Sequence, residues 1–150
     1  MLSKMALNEL VKYIHGVSIL SDQVLLELKT IAIKTPITVY RGLSFETKEE
    51  FFEQYGKELY LNYKIKSGES FSLDIDEASL FAQDIYSNYG VLLELTLEVP
   101  YLDISQLPEE FQSQVEDFSH EQELLSLDEA IVKAKIVKVY KDTQKKIGLK

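Results

Sequence analysis

Between Val91 and Val99 an apolar side chain occupies every second position: Val91, Leu93, Leu95, Leu97 and Val99. A period of two over nine residues marks a β-strand with one buried face, because successive side chains of an extended chain leave opposite sides. In a helix the same five residues would be scattered around the whole circumference. The chain must therefore build a sheet with a covered face, and other segments must supply both its neighbouring strands and its cover.

The neighbours are recognisable by the same rule. Leu59, Leu61, Tyr63 and Ile65 alternate with Tyr60, Asn62, Lys64 and Lys66. Val132, Ala134 and Ile136 alternate and then change phase to Val137 and Val139, a slip that a β-bulge near Ile136 explains. Ile37 to Arg41 is β-branched and aromatic, as a strand requires, and Pro36 ends whatever precedes it. Pro100 and Pro108 bracket a short extended piece, and a polar stretch from Glu109 to His120 leads into a strand at residues 121–127.

The cover comes from helices. Leu7, Leu10, Val11 and Ile14 recur at helical spacing, with Gly16 as a stop. Ser21 can cap a second helix with a stripe of Val24, Leu28 and Ile31. Thr47 and Glu50 form a capping box ahead of Phe51, Phe52 and Tyr55. Asp74 and Glu77 open a further helix, expected to bury Ala78, Phe81, Ala82 and Ile85. The sum is a single α+β domain over residues 1–150, with a helical part at 1–35 and a core at 37–140.

Composition excludes several functions. With no cysteine there are no disulfides, no thiolate catalysis and no cysteine-ligated zinc. His15 and His120 stand alone, so no metal site is expected, and His15 reads as a helix-surface residue. Twenty-five acidic against 16 basic residues give a net charge of −9, the wrong sign for gripping phosphate backbones, so nucleic acid is not expected as a direct ligand. Five lysines crowd the last 13 residues, as a solvated terminus often does. No apolar run is long enough to span a bilayer and no secretory signal is recognisable, so no membrane partner and a cytoplasmic location, in the producing or an infected cell, are expected. Neither a phosphate-cradling glycine loop nor a nucleophile elbow is present.

Three small features carry chemistry. Glu121 and Glu123 leave the same face of their strand, with Cα atoms about 6.6 Å apart. Carboxylates that close call for water, a cation or a substrate, and Leu125 and Leu127 on the same face put the pair where a core gives way to a cleft. Spacing alone fits a strand end emerging into solvent at least as well. Arg41, followed by Gly42, can offer planar donors to a phosphate or carboxylate beside a backbone that tolerates close approach, although a surface arginine at a turn looks the same. Ser70 and Ser72 share one face with Phe71 on the other, a spacing that lets a hydroxyl fix a carboxylate but is near background when taken alone.

Their order is more informative than any one of them. Tyr40-Arg41-Gly42, then Ser70-Phe71-Ser72 with Ala78 and Phe81-Ala82 following, then Glu121-Gln122-Glu123-Leu124-Leu125 resembles the R-S-E class of mono-ADP-ribosyltransferases, which includes bacterial toxins and phage enzymes. The resemblance covers most of residues 37–140, in a chain shorter than most of that class. It implies a split β-sandwich behind N-terminal helices, NAD as substrate and a host protein as target. It implies that Arg41 meets the NAD phosphates and ribose, that Gly42 holds the nicotinamide amide, and that Ser70 positions Glu123, with Ser72 in support. Glu123 would bond the nicotinamide ribose, and Glu121 would act on the acceptor, with arginine as the implied acceptor. Phe118 would face the target, and Tyr86 or Tyr89 would stack on nicotinamide. A non-catalytic inhibitor on the same scaffold and an NAD glycohydrolase are the alternatives.

Overall fold

The computed structural model describes residues 2–17, 19–83, 88–107, 109–114 and 123–141. Two helices come first, α1 (Lys4–Ile14) and α2 (Asp22–Lys29). There follow β1 (Ile37–Phe45), α3 (Lys48–Tyr55), β2 (Tyr60–Ile65), β3 (Ser70–Ser72) and α4 (Ile75–Ala82). The chain continues through β4 (Tyr89–Leu97), β5 (Tyr101–Asp103), a 3-10 turn at Ile104–Gln106, α5 (Glu109–Gln114), β6 (Glu123–Ser126) and β7 (Ala130–Lys141). The architecture is mixed α+β, as expected.

Every strand pairing is antiparallel, in the order β2-β7-β4-β1-β3-β6-β5. β1 and β4 pair from Ile37↔Leu97 to Phe45↔Tyr89. Between β4 and β7 the register jumps from Leu92↔Lys138 to Leu93↔Ile136, leaving Val137 as the extra residue of a bulge where the alternation changes phase. One contact of the sheet is thin: β1 and β3 share only the pair Tyr40↔Ser72. That pair joins a half made of β2, β7, β4 and β1 to a half made of β3, β6 and β5.

Both halves feed one core. Val39, Leu93, Leu95 and Leu97 meet Phe71, Leu124 and Tyr101 across it. Fully burying a leucine stabilises the fold by roughly 2 kcal/mol, so these residues hold the two halves together despite the single linking pair. The far side of β5 and β6 is covered by α1, α2 and α5, with Leu10, Leu28 and Phe111 against Leu125 and Leu127. On the far face of β4, α4 sets Ala78 and Ala82 against Leu92.

Caps act as read at Ser21, Thr47 and Asp74, which each accept a backbone N–H at the start of their helix, and Ser3 does the same for α1. Five expectations need correction. Arg41 does not end its strand, because β1 runs on through Gly42 to Phe45. Leu59 precedes β2 and is exposed, and Ile31 lies past the end of α2 and is exposed too, so neither extends its apolar stripe. Phe81 shares a helical face with Ala78 by spacing, yet is 55% exposed. The polar stretch after Pro108 contains α5, whose Phe111 is buried. Ile85 lies outside the described residues.

Candidate active site

The site forms where β1 and β3 part from their single pair. Because Tyr40 faces Ser72 and Ser72 faces Glu123, neighbouring residues of three strands meet at one seam. Ser70, Ser72, Glu123 and Leu125 share a face of the second half. Leu125 is buried under α1 and α2, whereas Glu123, one strand turn nearer the seam, borders a cavity of about 370 Å³. Arg41, Gly42, Ser70, Ser72 and Phe81 line the same cavity. The exposed Phe81 is thus an apolar wall of the cleft.

The two serines divide their work. The Ser70 hydroxyl donates to Oε2 of Glu123. The Ser72 hydroxyl accepts the Asp74 N–H at 3.0 Å, and Asp74 in turn caps α4 by accepting the Asp76 N–H at 2.9 Å. One hydroxyl fixes a carboxylate, and the other fixes the turn into α4. Burial pushes the Glu123 carboxyl above the ordinary carboxylate range, while the Ser70 hydrogen bond and the Arg41 charge pull it part of the way back. Removing the hydroxyl removes a lowering influence. Ser70→Ala is therefore expected to move the titration of the Glu123 carboxyl upward in pH. Side-chain carboxyl titrations of both proteins by NMR over the same pH range check this, and an unmoved curve would mean that the hydroxyl does not act on Glu123.

Arg41 is the only arginine of the chain. Its guanidinium lies over the Phe71 ring, 5.8 Å from the centroid, and Nη1 donates to the Ser70 carbonyl at 2.6 Å. Nε stands 3.0 Å from Oε2 of Glu69, an ion pair that lacks the alignment of a hydrogen bond. Beyond Arg41 a second, more polar cavity of about 790 Å³ opens, bordered by Tyr13, Tyr63, Lys64 and Glu69, with Arg41 and Ser70 shared between the two.

Arg41, Gly42, Ser70, Ser72 and Glu123 are thus brought together. Gly42 has a structural reason to lack a side chain: a Cβ there would collide with the backbone of α4 at Ala78 and Ala82. Tyr89 is not brought to the cleft. It is 6% exposed, opens β4, and packs against Phe51 and Phe52 with ring centroids 5.7 and 6.1 Å away. Its place at the start of β4, against the aromatic face of α3, was invisible in sequence. Glu121, Phe118 and Tyr86 lie outside the described residues. Sequence reading overlooked Glu69, because a glutamate after Ser67-Gly68 looks like a surface turn. Its 9% side-chain exposure comes only from the closing of the fold. Among the described residues no group of His, Asp and Glu is placed to hold a metal ion, and no helix is long and apolar enough to cross a membrane.

Comparisons with protein-family models, with curated proteins and with solved structures each find no match for this chain.

Proposed function

We propose that the chain is an NAD-dependent mono-ADP-ribosyltransferase, with an ADP-ribosyltransferase-like split β-sandwich, acting on a host protein. The observation that carries this reading is the Ser70 hydroxyl bonded to the Glu123 carboxylate in a cavity that Arg41 and Gly42 also border. A carboxylate held in place, part-buried and bonded on one oxygen, is suited to stabilising positive charge on a sugar.

In this mechanism Arg41 meets the pyrophosphate of NAD and the Gly42 backbone holds the nicotinamide amide. Glu123 accepts a hydrogen bond from the 2′-hydroxyl of the nicotinamide ribose. The bond from C1′ to the pyridinium nitrogen breaks, and its electron pair leaves with neutral nicotinamide. The oxocarbenium charge at C1′ develops beside Glu123, which stabilises the transition state more than the ground state. A nucleophile of the target then bonds to C1′ and gives up its proton, with Glu121 as the base and arginine as the proposed acceptor. Phe118 is the proposed contact to the target.

The test is transfer of label from adenylate-labelled NAD to proteins of a host-cell lysate. A labelled protein band that disappears with Glu123→Gln supports the reading. Nicotinamide release without labelled protein would replace the transferase by a glycohydrolase using the same site, and neither signal would remove the enzymatic reading.

A further inference from the structure

Glu69 is held from several sides at the seam between the two cavities. Its Oε1 accepts the Lys66 N–H at 3.0 Å, and its Oε2 accepts the Tyr63 hydroxyl and faces Nε of Arg41. Its backbone is clamped as well, with its N–H donating to Ser126 Oγ at 3.0 Å and its carbonyl accepting the Ser126 N–H at 2.9 Å. Burial pushes the Tyr63 phenol up, so the hydroxyl stays protonated and remains a donor. The Tyr13 hydroxyl donates to the carbonyl of Gly68 and ties the end of α1 to the same turn. A carboxylate with 9% exposure is costly to bury unless its bonds are supplied, and here they are.

We propose that Glu69 is a positioning residue: it holds the Arg41 guanidinium at the boundary of the two cavities, so that the pyrophosphate of the substrate meets a cation already in place. This rests on the reading of Arg41 as the NAD phosphate contact. A guanidinium has five N–H donors, and the hydrogen bond from Nη1 to the Ser70 carbonyl with the ion pair at Nε leaves part of the fork to meet an anion. An unheld arginine would have to lose rotamer freedom each time substrate bound, and that loss would appear in binding rather than in bond cleavage.

Glu69→Gln keeps the shape and an oxygen to accept from Tyr63, but removes the negative charge that faces Nε. The expected result is an NAD KM raised about tenfold with kcat changed less than threefold. Tyr63→Phe, which leaves the charge and removes one anchor, is expected to shift KM the same way by less. An unchanged or lower KM, or a fall confined to kcat, would overturn the proposal. A second measurement does not depend on turnover. With a single arginine, the side-chain Nε–Hε resonance is unambiguous, and slow solvent exchange of that proton in wild type should become fast in Glu69→Gln. Equal exchange in the two proteins overturns the positioning role. Protected exchange in a wild type that never cleaves NAD keeps the held arginine and overturns the enzymatic reading instead.

Discussion

Glu123→Gln is expected to lower NAD cleavage by on the order of 10²–10³-fold and, at neutral pH, to raise the melting temperature. The activity loss follows from removing the negative charge at the point where positive charge develops. The stability gain follows from linkage. Burial raises the Glu123 carboxyl above its value in the unfolded chain, so the folded state binds the proton more tightly. Below the unfolded value both states are protonated, and Glu and Gln behave alike. As pH rises through the raised folded value, ionisation inside the cleft costs stability that the unfolded chain does not lose. The melting temperatures of the two proteins should therefore coincide in acid and separate toward pH 7, with Gln above Glu. The amide oxygen of Gln can still accept from Ser70, so the fold keeps that bond. A Gln variant that melts below wild type at pH 7 would mean that the carboxylate serves the fold rather than a reaction.

The largest stability loss is expected from Gly90→Ala, at about 3 kcal/mol or more, or a fall of about 10 °C in melting temperature. A Cβ at position 90 would run into the backbone of Ala82, at the end of α4, and no side chain can swing aside to relieve it. Gly42 meets the same helix from β1. The pair of glycines lets α4 lie close against β1 and β4, which brings Phe81 to the wall of the cleft. Gly90→Ala should consequently lower activity together with stability. Gly56→Ala is the control: there is open space around it, but its φ of +86° strains an L-residue, for about 1–2 kcal/mol. Urea denaturation of the three proteins gives the comparison. A Gly90 variant no worse than the Gly56 variant would show that α4 has room to move away.

Local pattern carried much of the fold. The alternation in β2 and β7 survived into the structure because each strand has one face toward the core, whereas β4 is covered by the core at Val91, Leu93 and Leu95 and by α4 at Leu92, and the phase change at Val137 is the bulge itself. Helix caps were readable because the capping bond spans only a few residues. What pattern could not carry is which surface covers each face. Phe81 and Tyr89 came out opposite to expectation: spacing marked Phe81 as buried and the resemblance marked Tyr89 as available, while Phe81 stays exposed at the cleft and Tyr89 is buried against Phe51 and Phe52 of α3. The site divides the same way. Ser70 and Glu123 are 53 residues apart, and their hydrogen bond became an expectation only through the resemblance of the ordered motifs. Glu69 belongs to no such motif, and its burial depends on Ser126 and Tyr63 arriving from two other strands.

The account turns on whether the carboxylate beside Ser70 cleaves NAD. The direct measurement is nicotinamide release from NAD by the purified wild-type, Ser70→Ala and Glu123→Gln proteins at one pH. The predicted order is wild type fastest, Ser70→Ala about tenfold slower and Glu123→Gln slower by on the order of 10²–10³-fold. Equal release by wild type and Glu123→Gln, or no release by wild type in the presence of host-cell lysate, would contradict it.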